Sequence, residues 1–214
     1  GHEKILSAFA NQEADILIGT QMIVKGHDFP NVTLVGVLAA DMSLHISDYH
    51  AAERTFELLT QAAGRAGRGE VPGEVVIQTY QPEHYSIKTA KDQDYEAFYR
   101  QEIEYRKMML YPPVFHLLVI LCASKWEQRA SDGADELLHE IDGIQELKKK
   151  IFPIGPSDPA IARINDIYRK VIYLKAEDYQ NLVFVKDRLE KFMRDNTDYK
   201  DIVVQFDFNP VNGF

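Results

Sequence analysis

Two adjacent prolines, Pro112 and Pro113, constrain this chain more than any other feature. Proline lacks the N–H that a helix interior needs and its ring clashes with the preceding turn, so no helix passes through "YPP". The preceding run "DQDYEAFYRQEIEYRKMML" has an amphipathic helical pattern, and that helix must stop here. The chain on either side reads differently, which places a domain boundary at the prolines.

Before the boundary, "EKILSAFANQEAD" has Ile5, Leu6 and Phe9 at helical spacing. "ADILIGT" (14–20), "VTLVGVLAAD" (32–41) and "GEVVIQTY" (73–80) are short apolar runs without alternation, the pattern of parallel strands covered on both faces. "HAAERTFELLTQAAGRAG" is helical, with Phe56 and Leu59 facing a core, and "EHYSIKTAKD" is a further helix. Strand and helix alternate, which predicts an α/β fold with a parallel sheet. Beyond the prolines the order is strand 114–123, helix 125–149, a Pro/Gly-rich loop "FPIGPSDPAIA", strand 168–175, helix 178–194 and strand 201–208. That order predicts a smaller α+β domain. The expected division is 1–92, a linking helix over 93–112, and 113–214. Lys148, Lys149 and Lys150 would end the helix over 125–149, where cations suit the dipole.

The formal charge of −9 argues against a surface that is basic overall, the usual footprint of sequence-independent nucleic-acid binding. Residues 1–110 carry 10 Lys/Arg against 16 Asp/Glu, and residues 111–214 carry 14 against 17, so any nucleic-acid contact must be local. The one cysteine, Cys122, lies in "FHLLVILCAS" and reads as a small core residue. A single thiol excludes an internal disulfide framework or a cysteine-cluster zinc site. His27, His45 and His50 lack the spacing of a metal set and read as capping or polar loop residues. No signal peptide and no apolar run of membrane-spanning length is present, so no membrane partner is expected.

Chemistry concentrates in two stretches. In "QAAGRAGRG", a continuous helix would put Gln61, Arg65 and Arg68 at i, i+4 and i+7 on one face. Gly64 and Gly67 each cost such a helix about 1 kcal/mol relative to alanine. Close approach of a partner to the backbone is the usual compensation. Two guanidiniums one turn apart repel unless an anion lies between them, and the guanidinium fork suits phosphate oxygens. Taken alone, the pair also suits a solvated helix whose arginines meet Glu53, Glu57 or Glu70. The second stretch, "GTQMIVKGHDFPNV", follows an apolar run as ligand-binding loops do in α/β sheets. Gly19 and Gly26 permit unusual backbone angles, Thr20 and Lys25 suit phosphates, and Asp28 suits a ribose hydroxyl.

Together these stretches resemble superfamily 2 helicases: "GTQMIVKGHDFPNVTLVGVLAAD" is similar to motif V, and "QAAGRAGRG" to motif VI in its Q-x-x-G-R-x-G-R form. With "GEVVIQTYQPEH", "RKMMLYPP", "IGPSDPAIARINDIYRKVIYLKA" and "QFDFNP", the resemblance extends over essentially the whole chain to the primosomal replication-restart helicases. It implies a partial RecA-like helicase lobe 2 over 1–92 and that family's C-terminal domain over 113–214. No G-x-x-x-x-G-K-[ST] phosphate loop or D-E-x-H motif occurs, so the chain resembles the C-terminal part of a longer protein.

The implied activity is ATP-dependent 3′-to-5′ unwinding of DNA at stalled forks and initiation of primosome assembly. The resemblance implies that Arg65 and Arg68 reach the γ-phosphate and that Gln61 lies near the nucleotide. It implies that Gly26, Asp28 and Gly64 border the nucleotide, and that Thr20, Gln21 and Lys25 face the DNA backbone. ATP and Mg²⁺ would be bound mainly by a first lobe outside this chain. Zinc would belong to the full-length protein only, and the chain alone is expected to lack ATPase activity because half of the nucleotide site is absent. The implied partners are forked and single-stranded DNA, single-stranded-DNA-binding protein and primosome proteins; the implied location is the bacterial cytoplasm, at the nucleoid.

In the second half, Arg163, Arg169, Lys170 and Lys175 lie near Tyr168 in sequence, with Asp166 opposing. Two readings are open there: a stacking and backbone surface for DNA using Tyr168, Arg169 and Lys170, or an amphipathic strand with snorkelling ends. The other functions to weigh are a non-catalytic DNA or protein docking module and a different superfamily 2 translocase.

Overall fold

A computed structural model of the chain describes residues 1–20, 29–46, 48–67 and 72–211. They form two compact units, one of residues 1–46 and 50–102, the other of residues 47–49 and 103–214.

In the first unit, α1 (His2–Ala10) precedes β1 (Leu34–Val37), a 3₁₀ turn (Ala40–His45), α2 (Ala51–Ala63), β2 (Glu74–Ile77), α3 (Tyr85–Lys91) and the start of α4 (Tyr95–Met108). β1 and β2 pair in parallel, Leu34 opposite Glu74 and Val37 opposite Ile77. The core gathers Ala40, Phe56, Leu59, Ile87, Ala90 and Phe98, with Phe56 stacked on Phe98 at 4.3 Å. Phe56 and Leu59 thus face inward as their spacing predicts.

Two expectations fail here. Residues 14–20 form no strand, and Ile16 and Ile18 are exposed. A strand exists only through its ladder, and among the described residues nothing pairs with this stretch. Nor, among the described residues, are β1 and β2 covered on both faces. Exposed and partly buried residues alternate along each, leaving Leu34 and Val76 in the open, because the helices of this unit bury one side only.

Small polar bonds hold the strand ends. The Asp41 carboxylate, after β1, accepts the Tyr80 N–H at 3.0 Å. That bond, with the Thr79 hydroxyl, holds its pKa below the usual carboxylate range. Neutral His84 caps α3: its Nδ1 accepts the Ser86 N–H and lies 2.8 Å from Ser86 Oγ.

In the second unit, after α4 come β3 (His116–Ser124), α5 (Glu127–Asp142), β4 (Ile151–Ser157), β5 (Arg163–Ile164), β6 (Ile167–Ala176), α6 (Tyr179–Asp195) and β7 (Val203–Phe208). The sheet is antiparallel in the order β4-β6-β3-β7, with β5 paired to β6. Successive side chains of a strand face opposite ways. Leu118, Ile120 and Cys122 therefore pack with Ile172 and Leu174 against Leu137 and Ile141 of α5 and Leu182, Val185 and Leu189 of α6. Leu117, Val119 and Leu121 pack on the other face with Val171, Tyr173 and Tyr49.

The helix expected over 125–149 stops at Asp142, where Gly143 caps it, so Lys148–Lys150 lead into β4 rather than closing a helix. The expected Pro/Gly-rich loop instead contains β4, with Pro153 and Pro156 inside it. β4 is an edge strand with a register shift between Ile154 and Ser157, the setting in which a ladder tolerates proline.

The chain between α4 and the two prolines is anchored by two cations. Arg106 donates to the Pro112 carbonyl at 3.1 Å, and Lys175 donates to the Met109 carbonyl at 2.8 Å with its ammonium 3.6 Å from the centre of the Tyr111 ring. Tyr49 stacks on Tyr111 at 5.2 Å.

Two outcomes follow from these environments. Burial pushes the Cys122 thiol up to about 12 and leaves it without exposure. A thiol reagent at pH 8 should therefore label Cys122 only at the rate of unfolding, which labelling across a urea series measures. Burial lowers the pKa of His84 below 6.5, so its contribution is complete above pH 6.5 and is lost as pH falls below it. Between pH 7.5 and 5.5 the urea midpoint of the chain should fall further than that of His84→Asn, whose cap does not titrate.

Candidate nucleotide and nucleic-acid site

α2 delivers the first set of candidates. Its buried face is Ala51, Thr55, Phe56, Leu59 and Ala62, which turns Gln61 outward, exposed. The helix ends at Ala63. Gly64 caps it with φ −69° and ψ 1°, its N–H bonded to the Thr60 carbonyl at 3.0 Å. Arg65 and Ala66 continue in a tightening turn, their N–H groups reaching Ala62 and Ala63, and Gly67 turns to φ +71°.

The single helical face expected for Gln61, Arg65 and Arg68 is therefore not formed. Gln61 is on the helix, and half-buried Arg65 lies in the turn beyond its cap. Arg68 lies outside the described residues. The glycines are the cause, since Gly64 caps the helix and a left-handed Gly67 cannot continue it.

The other motif meets this turn through the backbone. The Gly67 N–H donates to the Val32 carbonyl at 3.1 Å, and the Val32 N–H donates to Phe29 at 3.2 Å. One hydrogen bond thus joins the end of "GTQMIVKGHDFPNV" to "QAAGRAGRG". Thr20 is described and exposed, whereas Gln21, Lys25, Gly26 and Asp28 lie outside the described residues. Sequence reasoning missed Val32 because its contribution is a carbonyl, which no residue type signals. Of the histidines, His45 Nε2 lies 3.9 Å from the Asp41 carboxylate, His50 stands at the N-cap of α2, and His27 lies outside the described residues. Among the described residues no three His, Cys, Asp or Glu side chains gather as a metal would require.

The second set sits on the β5–β6 hairpin, closed by Asn165 and Asp166, both at positive φ, a tight turn that these residue types favour. Tyr168 carries the Arg163 guanidinium 4.8 Å above its ring, and Arg163 also bridges Asp166 at 2.7 Å. Arg169 donates to the Ile161 carbonyl at 3.1 Å. Lys170 pairs with Asp158 at 2.6 Å, so Asp166 is not the only opposing carboxylate: the chain after β4 brings a second one. Strand alternation puts Tyr168 and Lys170 on one face of β6 and Arg169 on the other. Lys175 stands apart from this group, at the end of α4.

Comparison with known proteins finds relatives of the chain. Residues 1–70 match the helicase conserved C-terminal domain. Replication restart protein PriA of Bacillus subtilis is 47% identical over 210 residues, 98% of this chain and 26% of that protein. PriA of Synechocystis is 38% identical over 95% of this chain and 24% of the relative, and PriA of Treponema pallidum 35% identical over 99% and 32%. The chain spans about a quarter to a third of the length of these relatives.

The hairpin contacts lead to a defined outcome. Arg163→Ala removes both the ring stack and the bridge to Asp166 from an exposed site, and should lower stability by about 0.5–1 kcal/mol in denaturant titration. With similarity to PriA over nearly its full length and a helicase domain match over residues 1–70, the chain belongs to the PriA family of replication restart proteins.

Proposed function

We propose that this chain is the nucleotide-sensing half and C-terminal domain of an ATP-dependent superfamily 2 DNA helicase. In this reading it unwinds DNA 3′ to 5′ at stalled forks and starts primosome assembly for replication restart. The observation that carries the reading is the position of residues 61–67, the described part of the Q-x-x-G-R-x-G-R run, at the end of α2. Gln61 is exposed on the last turn, and Arg65 is held in the cap turn tied by Gly67 to the neighbouring motif.

The chemistry is transfer of the ATP γ-phosphoryl group to water. A first lobe outside this chain holds the triphosphate and Mg²⁺, and the Arg65 and Arg68 guanidiniums neutralise charge that builds on the γ-phosphate oxygens. Gln61 adds a polar contact near the nucleotide. Gly26, Asp28 and Gly64 border the nucleotide, and Thr20, Gln21 and Lys25 contact the DNA backbone. Splitting the site between lobes makes hydrolysis conditional on their closure, which turns nucleotide turnover into movement along a strand.

Tyr168, Arg169 and Lys170 form the DNA-contacting hairpin, Tyr168 stacking on a base and the cations meeting phosphates. The partners are forked and single-stranded DNA, single-stranded-DNA-binding protein and primosome proteins, in the bacterial cytoplasm at the nucleoid. Zinc belongs to the longer protein, outside this chain. No helix among the described residues is long and apolar enough to cross a membrane.

A second reading, a non-catalytic docking module, draws support from the hairpin, where the basic side chains already have partners within the chain. DNA-stimulated ATP hydrolysis by the full-length protein separates the two. With Arg65→Ala or Arg68→Ala, kcat should fall about a thousand-fold while fork binding persists. The isolated 214-residue chain should hydrolyse no ATP. Unchanged hydrolysis in both variants would favour the docking module.

A further inference from the structure

Three stretches of backbone cross at one point in the first unit. Gly67 donates to the Val32 carbonyl at 3.1 Å, and Glu74 donates to the Thr33 carbonyl at 2.8 Å as the β1–β2 ladder begins. Between them lies Gly73, against Gly67. A Cβ on Gly73 would run into the Gly67 nitrogen and into the carbonyl carbon and Cβ of Ala66. A Cβ on Gly67 would in turn run into the Gly73 nitrogen. Most of these opposing atoms are backbone, so no side chain can swing aside. Adding one carbon at Gly73 must push the Ala66–Gly67 segment away.

That segment lies between the two arginines in sequence. Arg65 immediately precedes Ala66 and Arg68 immediately follows Gly67. Gly67 and Gly73 meet at the crossing, which also carries the hydrogen bond from Gly67 to Val32. Catalytic groups lose about a hundred-fold in rate when displaced by an ångström, so a crossing packed backbone on backbone fixes the turn as no flexible side-chain contact would.

We infer that Gly73, outside the arginine motif, is a positioning residue for Arg65 and Arg68. Its missing side chain lets the β2 strand entry press against Gly67 and hold the arginine turn in register with the neighbouring motif. The inference rests on the phosphoryl-transfer reading given above.

The test is DNA-stimulated ATP hydrolysis by the full-length protein carrying Gly73→Ala, Arg68→Ala or both. Gly73→Ala should lower kcat about tenfold or more and leave KM for ATP within about three-fold, because the triphosphate is held elsewhere. Acting through the arginines, it should add nothing in the Arg68→Ala background. Wild-type kcat in folded Gly73→Ala, or a loss that multiplies with that of Arg68→Ala, overturns the inference while leaving the arginine roles intact. Wild-type hydrolysis in Arg65→Ala and Arg68→Ala overturns the parent reading and this one with it. If circular dichroism shows that Gly73→Ala does not fold, Ala66→Val crowds the same contact from its other side. It should show the same loss of kcat at unchanged KM, and wild-type kcat there overturns the inference.

Discussion

The second unit depends on one strand that sees no water on either side. From Leu117 to Cys122 every residue of β3 is buried, with Leu118, Ile120 and Cys122 under the helices and Leu117, Val119 and Leu121 beneath the opposite layer. A strand of this kind must have both edges paired and both faces covered, because its backbone groups and its side chains have no solvent to fall back on. β6 and β7 satisfy the edges, in registers running from His116↔Ala176 and Leu118↔Phe208. α5 and α6 cover one face. The other takes Tyr49 and Tyr173, and around them the end of α4 is pinned by Arg106 and by Lys175 over Tyr111. Lys175 is a buried amine whose pKa desolvation lowers, and a carbonyl together with a ring face is what makes its burial tolerable.

This accounts for what the sequence made legible. "FHLLVILCAS" is a run whose apolar character has no period, and that reads directly as a strand buried twice over. The spacing of Phe56 and Leu59 predicted the buried face of α2, because packing on one side is what writes such a period. The misses share a different cause. β4 has two prolines and reads as a loop, since only its place at the sheet edge makes the prolines harmless. Residues 14–20 have strand composition without a ladder to join among the described residues, and composition does not report partners.

The arginine turn shows the same limit at the scale of single residues. Helical spacing put Gln61, Arg65 and Arg68 on one face, and Gly64 and Gly67 appeared as a cost to be compensated by a close partner. A close partner does exist, but it is the chain itself at Gly73, and the glycines end the helix instead of weakening it. The motif was recognisable from residue types alone; its geometry depended on a backbone contact with a glycine outside it. Neither the Val32 carbonyl nor the bare backbone of Gly73 has a side chain to announce it.

The two candidate regions also differ in how their charges are held. On the β5–β6 hairpin, Arg163, Arg169 and Lys170 are engaged with a ring, a carbonyl and a carboxylate of their own chain. Contact with a nucleic acid would have to exchange those partners for phosphates, an exchange of charge for charge that gains little in high dielectric. At the end of α2 the problem is one of placement. Gly64 stops the helix just before Arg65, and the crossing of Gly67 with Gly73 follows at once, so the Arg65 backbone is held on both sides. On the proposed function that difference is what a motor requires. A group that must meet a phosphate only when two lobes close has to be rigid at its root, whereas a surface that releases DNA at every step is better served by cations with somewhere else to go.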